Sequence, residues 1–339
     1  MKFLNKNIRG VLLSIILAYV AINISKIVPG NVIGAVVFAL LIGMMINPLI
    51  FQNDNYTEGT NFVSKRILKF AIILMGATLS FNQVFQVGKY SLFVMMFTLV
   101  VAFGGGYYIG KLFGMNWKLS GLISAGTGIC GASAIGAIAP TIDAEAKDIA
   151  YAISATFLFD ILMVILFPIM GKYFGMSDLG YGLWAGTAVN DTSSVVAAGY
   201  AFSDAAGSFA IIVKLTRTLS IVPAVLIFSF INERLNAKKS IDGQKQHTKI
   251  DIKQIFPWFI LMFLFMVGLK SIGLIPELLS DRISSLSKFL MVMSLGAIGL
   301  KTNFKEVSKS GFLPMLHGFI ISALVVIVAF VVQRFMGQI

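Results

Sequence analysis

Apolar runs of membrane-spanning length recur along the whole chain, separated by short polar or basic segments. A helix needs about 20 apolar residues, within a range of roughly 17–25, to cross a bilayer. Such runs lie near 9–28, 32–50, 66–82, 90–112, 118–140, 148–170, 180–202, 206–231, 254–270, 285–301 and 311–335. They predict an all-α polytopic membrane protein with about 11 transmembrane helices, forming one integral membrane domain over residues 1–339. The first run follows Lys2, Lys6 and Arg9 in the manner of a signal peptide. Ile22-Asn23-Ile24-Ser25-Lys26 offers no small-residue cleavage site, so the run reads as a retained span.

Two runs depart from the pattern. Residues 121–140 read GLISAGTGICGASAIGAIAP, with Gly126, Gly128, Gly131 and Gly136 crowding the middle. Each glycine in a helix interior costs roughly 1 kcal/mol relative to alanine. Small residues can let neighbouring helices pack closely. Alternatively the helix is broken, and its freed peptide groups line a polar cavity. The hydroxyls of Thr127 and Ser133 beside the glycines favour the break. Ala125-Gly126-Thr127 recurs as Ala185-Gly186-Thr187, which runs on into Asn190-Asp191-Thr192-Ser193-Ser194. The chain is therefore expected to be organised around two broken (discontinuous) helices with a binding site between them. A fainter repeat sets Lys69-Phe70, Gly76-Ala77, Leu79, Asn82 and Gly88 beside Lys288-Phe289, Gly296-Ala297, Leu300, Asn303 and Gly311. These stretches fall in the third and tenth runs and would cross in opposite directions, as inverted repeats require.

Composition and charge narrow the class. The chain is 57% hydrophobic and 12% charged, against about 25% charged for a soluble domain. The net charge of +12 does not point to nucleic acid, because the bases sit in short loops between apolar runs, as the positive-inside rule describes. With the N-terminus cytoplasmic, 18 Lys and Arg lie inside and 7 outside, which places the C-terminus outside. The loop at about 232–253 is the longest and most basic; it reads as a cytoplasmic linker, with lipid headgroup contact as the alternative. Cys130 is the only cysteine, which excludes disulfides and cysteine metal clusters. His247 and His317 have no second ligand nearby, so neither a metal site nor a cofactor is expected. Gly126-Thr127-Gly128-Ile129-Cys130-Gly131 fits G-x-G-x-x-G, but a dinucleotide site needs a preceding strand and a soluble βαβ unit. Methionines such as Met44, Met45, Met291 and Met293 read as packing groups.

Four ionisable residues fall within apolar runs: Asp160, Asp191, Lys214 and Arg217. A charge at mid-bilayer costs about 2.5–3.5 kcal/mol on insertion scales, so such groups face the interior and are paired. Lys214 and Arg217 are three apart and share a helix face. They can form structural ion pairs with Asp160 or Asp191, or an anion-binding face at the ends of broken helices. Asp191 suits a proton or Na⁺ carrier or an orienting partner for the basic pair. Asp160 suits coupling, a partner for Lys214, or helix packing. Asn190, Thr192, Ser193 and Ser194 can satisfy one another or bind a substrate.

The chain resembles the bacterial YeiH-like membrane proteins, labelled as sulfate exporters. Four stretches carry the likeness. The first is Thr127-Gly128-Ile129-Cys130-Gly131-Ala132-Ser133-Ala134-Ile135 running on to Ala139-Pro140. The second is Leu183-Trp184-Ala185-Gly186-Thr187 into Asp191-Thr192. The others are Val195-Val196-Ala197-Ala198-Gly199 and Val213-Lys214-Leu215-Thr216-Arg217. The resemblance implies a multi-pass bacterial plasma-membrane solute carrier, akin to inverted-repeat transporters with broken, crossing helices. A histidine often precedes the Asp-Thr pair in that family, where this chain has Asn190, and a glutamine often follows, where it has Ser194. If that histidine relays protons elsewhere, the role is absent here.

The leading expectation is a secondary transporter of a small anion, either sulfate or a sulfonate or carboxylate. Its substrate-binding residues would be Thr127, Gly128, Cys130, Gly131, Ser133, Asn190, Thr192, Ser193, Lys214 and Arg217. Asp191 and Asp160 would serve a coupling ion. The expected partners are the anionic solute, membrane lipid and a second copy in a homodimer, without nucleic acid. An anion channel and an intramembrane enzyme are the alternatives. Scarce histidine and the lack of HExxH or GxSxG weigh against the enzyme, and no residue is assigned a catalytic role.

Overall fold

Each of six helices is long and apolar enough to cross a membrane among the described residues, and three shorter apolar helices accompany them. The computed structural model describes residues 2–27, 35–50, 56–237, 256–302 and 311–338, where it is helical with no strand. In order these are α1 (Lys2–Ile27), α2 (Ala35–Ile50), α3 (Thr57–Phe62), α4 (Leu68–Met75), α5 (Phe81–Val100), α6 (Gly106–Leu112), α7 (Trp117–Ala125) and α8 (Ala132–Ile138). They continue with α9 (Ala146–Tyr173), α10 (Asp178–Ala188), α11 (Thr192–Phe202), α12 (Asp204–Thr218) and α13 (Ile221–Ala237). The last are α14 (Trp258–Ser271), α15 (Glu277–Lys301) and α16 (Phe312–Phe335). The expected linker begins later than its sequence boundary, because α13 stays helical to Ala237. Residues 238–253, with His247, lie outside the described residues.

Polar side chains at the element ends explain where several helices start. Ser80 and Gln83 form a capping box on α5, and Asn116, Ser177, Asp191 and Ser203 cap α7, α10, α11 and α12. Large apolar side chains such as Phe93, Met96 and Phe97 on α5 point outward, as lipid contact demands.

Helices α1 to α4, α14 and α15 form one packed group. A Cβ at Gly299 of α15 would stand 2.1 Å from the Leu40 carbonyl of α2, so only glycine permits this backbone approach. Ser287 Oγ donates to the Ala71 carbonyl (2.7 Å) and Ser280 Oγ to the Ala77 carbonyl (2.9 Å). The first stretch of the faint repeat thus packs antiparallel against residues 280–287, just ahead of the second stretch, whose Asn303 lies outside the described residues.

The second group, α5 to α13 with α16, holds the two small-residue segments, and here the structure corrects the sequence reading. By length and composition each segment reads as one broken crossing. Instead each doubles back. Lys118 Nζ donates to the Asp143 carbonyl at 2.9 Å, although the residues are 25 apart; a straight helix would separate them by about 37 Å. Gly126 also packs against Ile135 across the turn. In the later segment Ser203 Oγ donates to Asp178 Oδ1 (2.5 Å), Tyr181 Oη donates to the Ala198 carbonyl (2.9 Å), and the Tyr181 and Phe202 rings stack at 4.0 Å. The ends of the first hairpin adjoin Asn232, whose Nδ2 donates to the Thr141 carbonyl (3.4 Å) and Asp143 Oδ2 (3.2 Å). The ends of the second adjoin Ser203 at the head of α12. The column α12–α13 connects those two levels, so the hairpins enter from opposite ends and their tips meet along it.

Candidate functional site

The first tip is built from glycine. After α7 the chain widens into a π-type turn over Gly126–Cys130, closed by a bond from Gly131 N–H to the Gly126 carbonyl at 2.8 Å. Turns of this kind concentrate at functional sites. Gly131 then reverses the chain at φ +63°, ψ −135°, a conformation L side chains avoid. Space enforces the same choice. A Cβ there would lie 3.0 Å from Asp191 Cβ and Oδ1.

The second tip lies between Ala188 and Thr192, where Val189, Asn190 and Asp191 leave helical geometry. Asp191 caps α11. It accepts from Ser193 N–H at 2.9 Å and also from the Ser193 hydroxyl. The two tips thus touch through Gly131 and Asp191.

Three buried charges hold the breaks. Arg217 of α12 donates from Nε to the Gly128 carbonyl (2.6 Å) and from Nη2 to the Thr127 carbonyl (2.9 Å). Lys214 Nζ donates to the Val189 carbonyl at 3.0 Å. Both cations therefore sit at the C-terminal ends of first arms, the negative end of the helix dipole. Asp160 of α9 does the converse, accepting from the peptide N–H of Asn190 and of Asp191, each at 2.7 Å. Those donors lie at the head of α11, where the dipole is positive.

The ion pairs weighed from sequence are absent. Among the described residues neither Lys214 nor Arg217 has a carboxylate oxygen within 4.0 Å. A broken helix exposes peptide groups that must be satisfied where water is absent, and these side chains answer that need before one another.

Two polar atoms at the tips remain buried without a partner: Arg217 Nη1 and Asn190 Oδ1. The Asn190 amide nitrogen reaches the Thr156 carbonyl (3.4 Å) and Ser322 Oγ (3.3 Å), and Ser322 Oγ lies 3.3 Å from Thr127 Oγ1. Ser322 of α16 and Thr156 of α9 thus link the tips, and sequence reasoning passed over both. Their only signal is a lone hydroxyl in an apolar run.

The expected residues do not all converge. Thr127, Gly128, Cys130, Gly131, Asn190 and Ser193 are buried at the tips, and Asp191 and Thr192 are half-buried there. Ser133 is exposed on α8, beside exposed Ala132 and Gly136, and makes no hydrogen bond among the described residues. His317 sits apart, its Nε2 2.9 Å from the Gly106 carbonyl and 3.2 Å from Ser120 Oγ. No cluster of three potential metal ligands occurs among the described residues.

The chain matches the family described as "Conserved hypothetical protein 698" over residues 9–318. It is 66% identical to a "UPF0324 membrane protein" of Clostridium tetani across 100% of both chains. A UPF0324 membrane protein of Streptococcus pneumoniae serotype 4 is 38% identical over 99% of both chains. One from Fusobacterium nucleatum is 34% identical over 98% of this chain and 99% of its own.

Proposed function

Starting from the fact that the chain belongs to this family of UPF0324 membrane proteins, we propose that it is a secondary transporter of a small anion in the bacterial plasma membrane. Each hairpin enters and leaves on one side, so the eleven apolar segments make nine crossings and two re-entrant hairpins. Lys147 and Lys172 then exchange sides, which leaves the split of bases at 18 to 7 and keeps the N-terminus cytoplasmic.

One observation carries the reading: a fully buried guanidinium, bonded to the first tip through Thr127 and Gly128, whose Nη1 has no partner. A buried charged donor left unpaired is costly, and a sulfate, sulfonate or carboxylate oxygen would satisfy it. Asp160 is committed to two peptide N–H groups and acts as an internal cap. Asp191, half-buried beside Gly131, is the carboxylate left to take up a coupling proton or Na⁺. Reconstituted protein should show saturable, counterflow-competent anion flux; flux linear in concentration without counterflow would indicate a channel instead.

The exposed small face of α8 supplies a route to the tips from the cytoplasmic side. In Ser133→Cys and Gly136→Cys variants, a membrane-impermeant thiol reagent should label from that side alone. Cys130 is buried and gives a silent background. Labelling from neither side, or from both equally, would remove the route.

A further inference from the structure

A cavity of about 930 Å³ lies between α5–α6 and α13, floored by α7 and reaching Ile129 of the first tip at its inner end. Its wall is almost wholly apolar, with Phe103 and Phe228 packed ring to ring at 5.8 Å. The serine hydroxyls on the lining are committed: Ser120 to the Gly106 carbonyl (2.8 Å), Ser124 to the Ser120 carbonyl (2.8 Å) and Ser220 to the Arg217 carbonyl (2.7 Å). A hydrated solute would find little to bind. Val100 and Ile227, both exposed, leave the groove open sideways to the bilayer. At one end stands Lys111, the single charge on the lining, exposed and without a side-chain partner among the described residues. Tyr107 and Trp117 flank it, the aromatic types that settle at the headgroup level.

We propose that this groove seats an acyl chain of an anionic phospholipid, with its phosphate on Lys111. A phospholipid joins a long apolar chain to an anion, the two features the groove and its terminal cation complement. The headgroup lies at the cytoplasmic level, where anionic lipid attracts lysine.

Trp117 lines the groove and reports on it. In nanodiscs, a Trp184→Phe/Trp258→Phe variant should be quenched by brominated-chain phosphatidylglycerol at about fivefold lower mole fraction than by the matching phosphatidylcholine. Lys111→Gln should bring the two lipids level. Gly104→Leu should weaken quenching by both, because no atom lies within 4 Å of a Cβ placed there and the new side chain enters open space. Native mass spectrometry of the parent and of Lys111→Gln, which needs no tryptophan replacement, should show retained phosphatidylglycerol in the parent alone. Equal quenching by the two lipids in the parent, an unchanged preference in Lys111→Gln, or indifference to Gly104→Leu would overturn the assignment.

Discussion

Asp160→Ala is expected to cost the protein most of its stability. The substitution strips two peptide donors, Asn190 N–H and Asp191 N–H, of acceptors now 2.7 Å away. Each buried donor left unpaired costs about 1–3 kcal/mol, so the pair costs about 2–6 kcal/mol. Ordinary point mutations centre near 1 kcal/mol. Water cannot repair the loss in the membrane interior. Asp160→Asn keeps one acceptor oxygen and should fall between parent and alanine. Thermal unfolding in detergent, followed for all three proteins, measures the order. Three equal melting temperatures would mean that Asp160 does not hold the second hairpin.

Gly131→Ala should be nearly as severe, whereas Gly136→Ala five residues later should be neutral or mildly stabilising. At Gly131 the backbone conformation alone costs about 1–3 kcal/mol for a non-glycine residue. The new methyl would also meet Asp191 Cα at 3.1 Å, a backbone atom that cannot swing aside. Gly136 lies inside α8 with nothing within 4 Å of a Cβ, and alanine there regains up to about 1 kcal/mol of helix propensity. Melting temperature and anion uptake of the two variants are the readout. Matching losses at both glycines would show that the reversal at 131 is not what the chain requires.

That contrast marks how far the sequence could be read. Apolar run length announces a membrane protein, and the glycines and hydroxyls at 126–136 and 185–194 announce two unusual segments. A run of 23 residues, however, suits one straight crossing or two short arms equally. What decides between them is Lys118 meeting Asp143 and Tyr181 meeting Ala198, contacts that no local pattern encodes. The charges were equally visible, and their pairing was not. Opposite signs suggested ion pairs, whereas Arg217 and Lys214 go to carbonyls and Asp160 to peptide N–H groups that exist only once the helices have broken. Ser322 and Thr156 escaped notice because a single hydroxyl in an apolar run ordinarily bonds its own helix, as Thr156 also does to Ala152 and Ile153.

Anion-dependent thermal stabilisation of the parent beside Arg217→Gln and Lys111→Gln tests the central claim most directly. Sulfate, thiosulfate, sulfite, methanesulfonate and acetate would each be titrated against purified protein. At least one should raise the parent's melting temperature saturably. Lys111→Gln, remote from the tips, should respond as the parent does, and Arg217→Gln should fold yet give no shift. A parent indifferent to all five anions, or an Arg217→Gln protein that responds as strongly as the parent, would contradict an anion site at the meeting of the two hairpins.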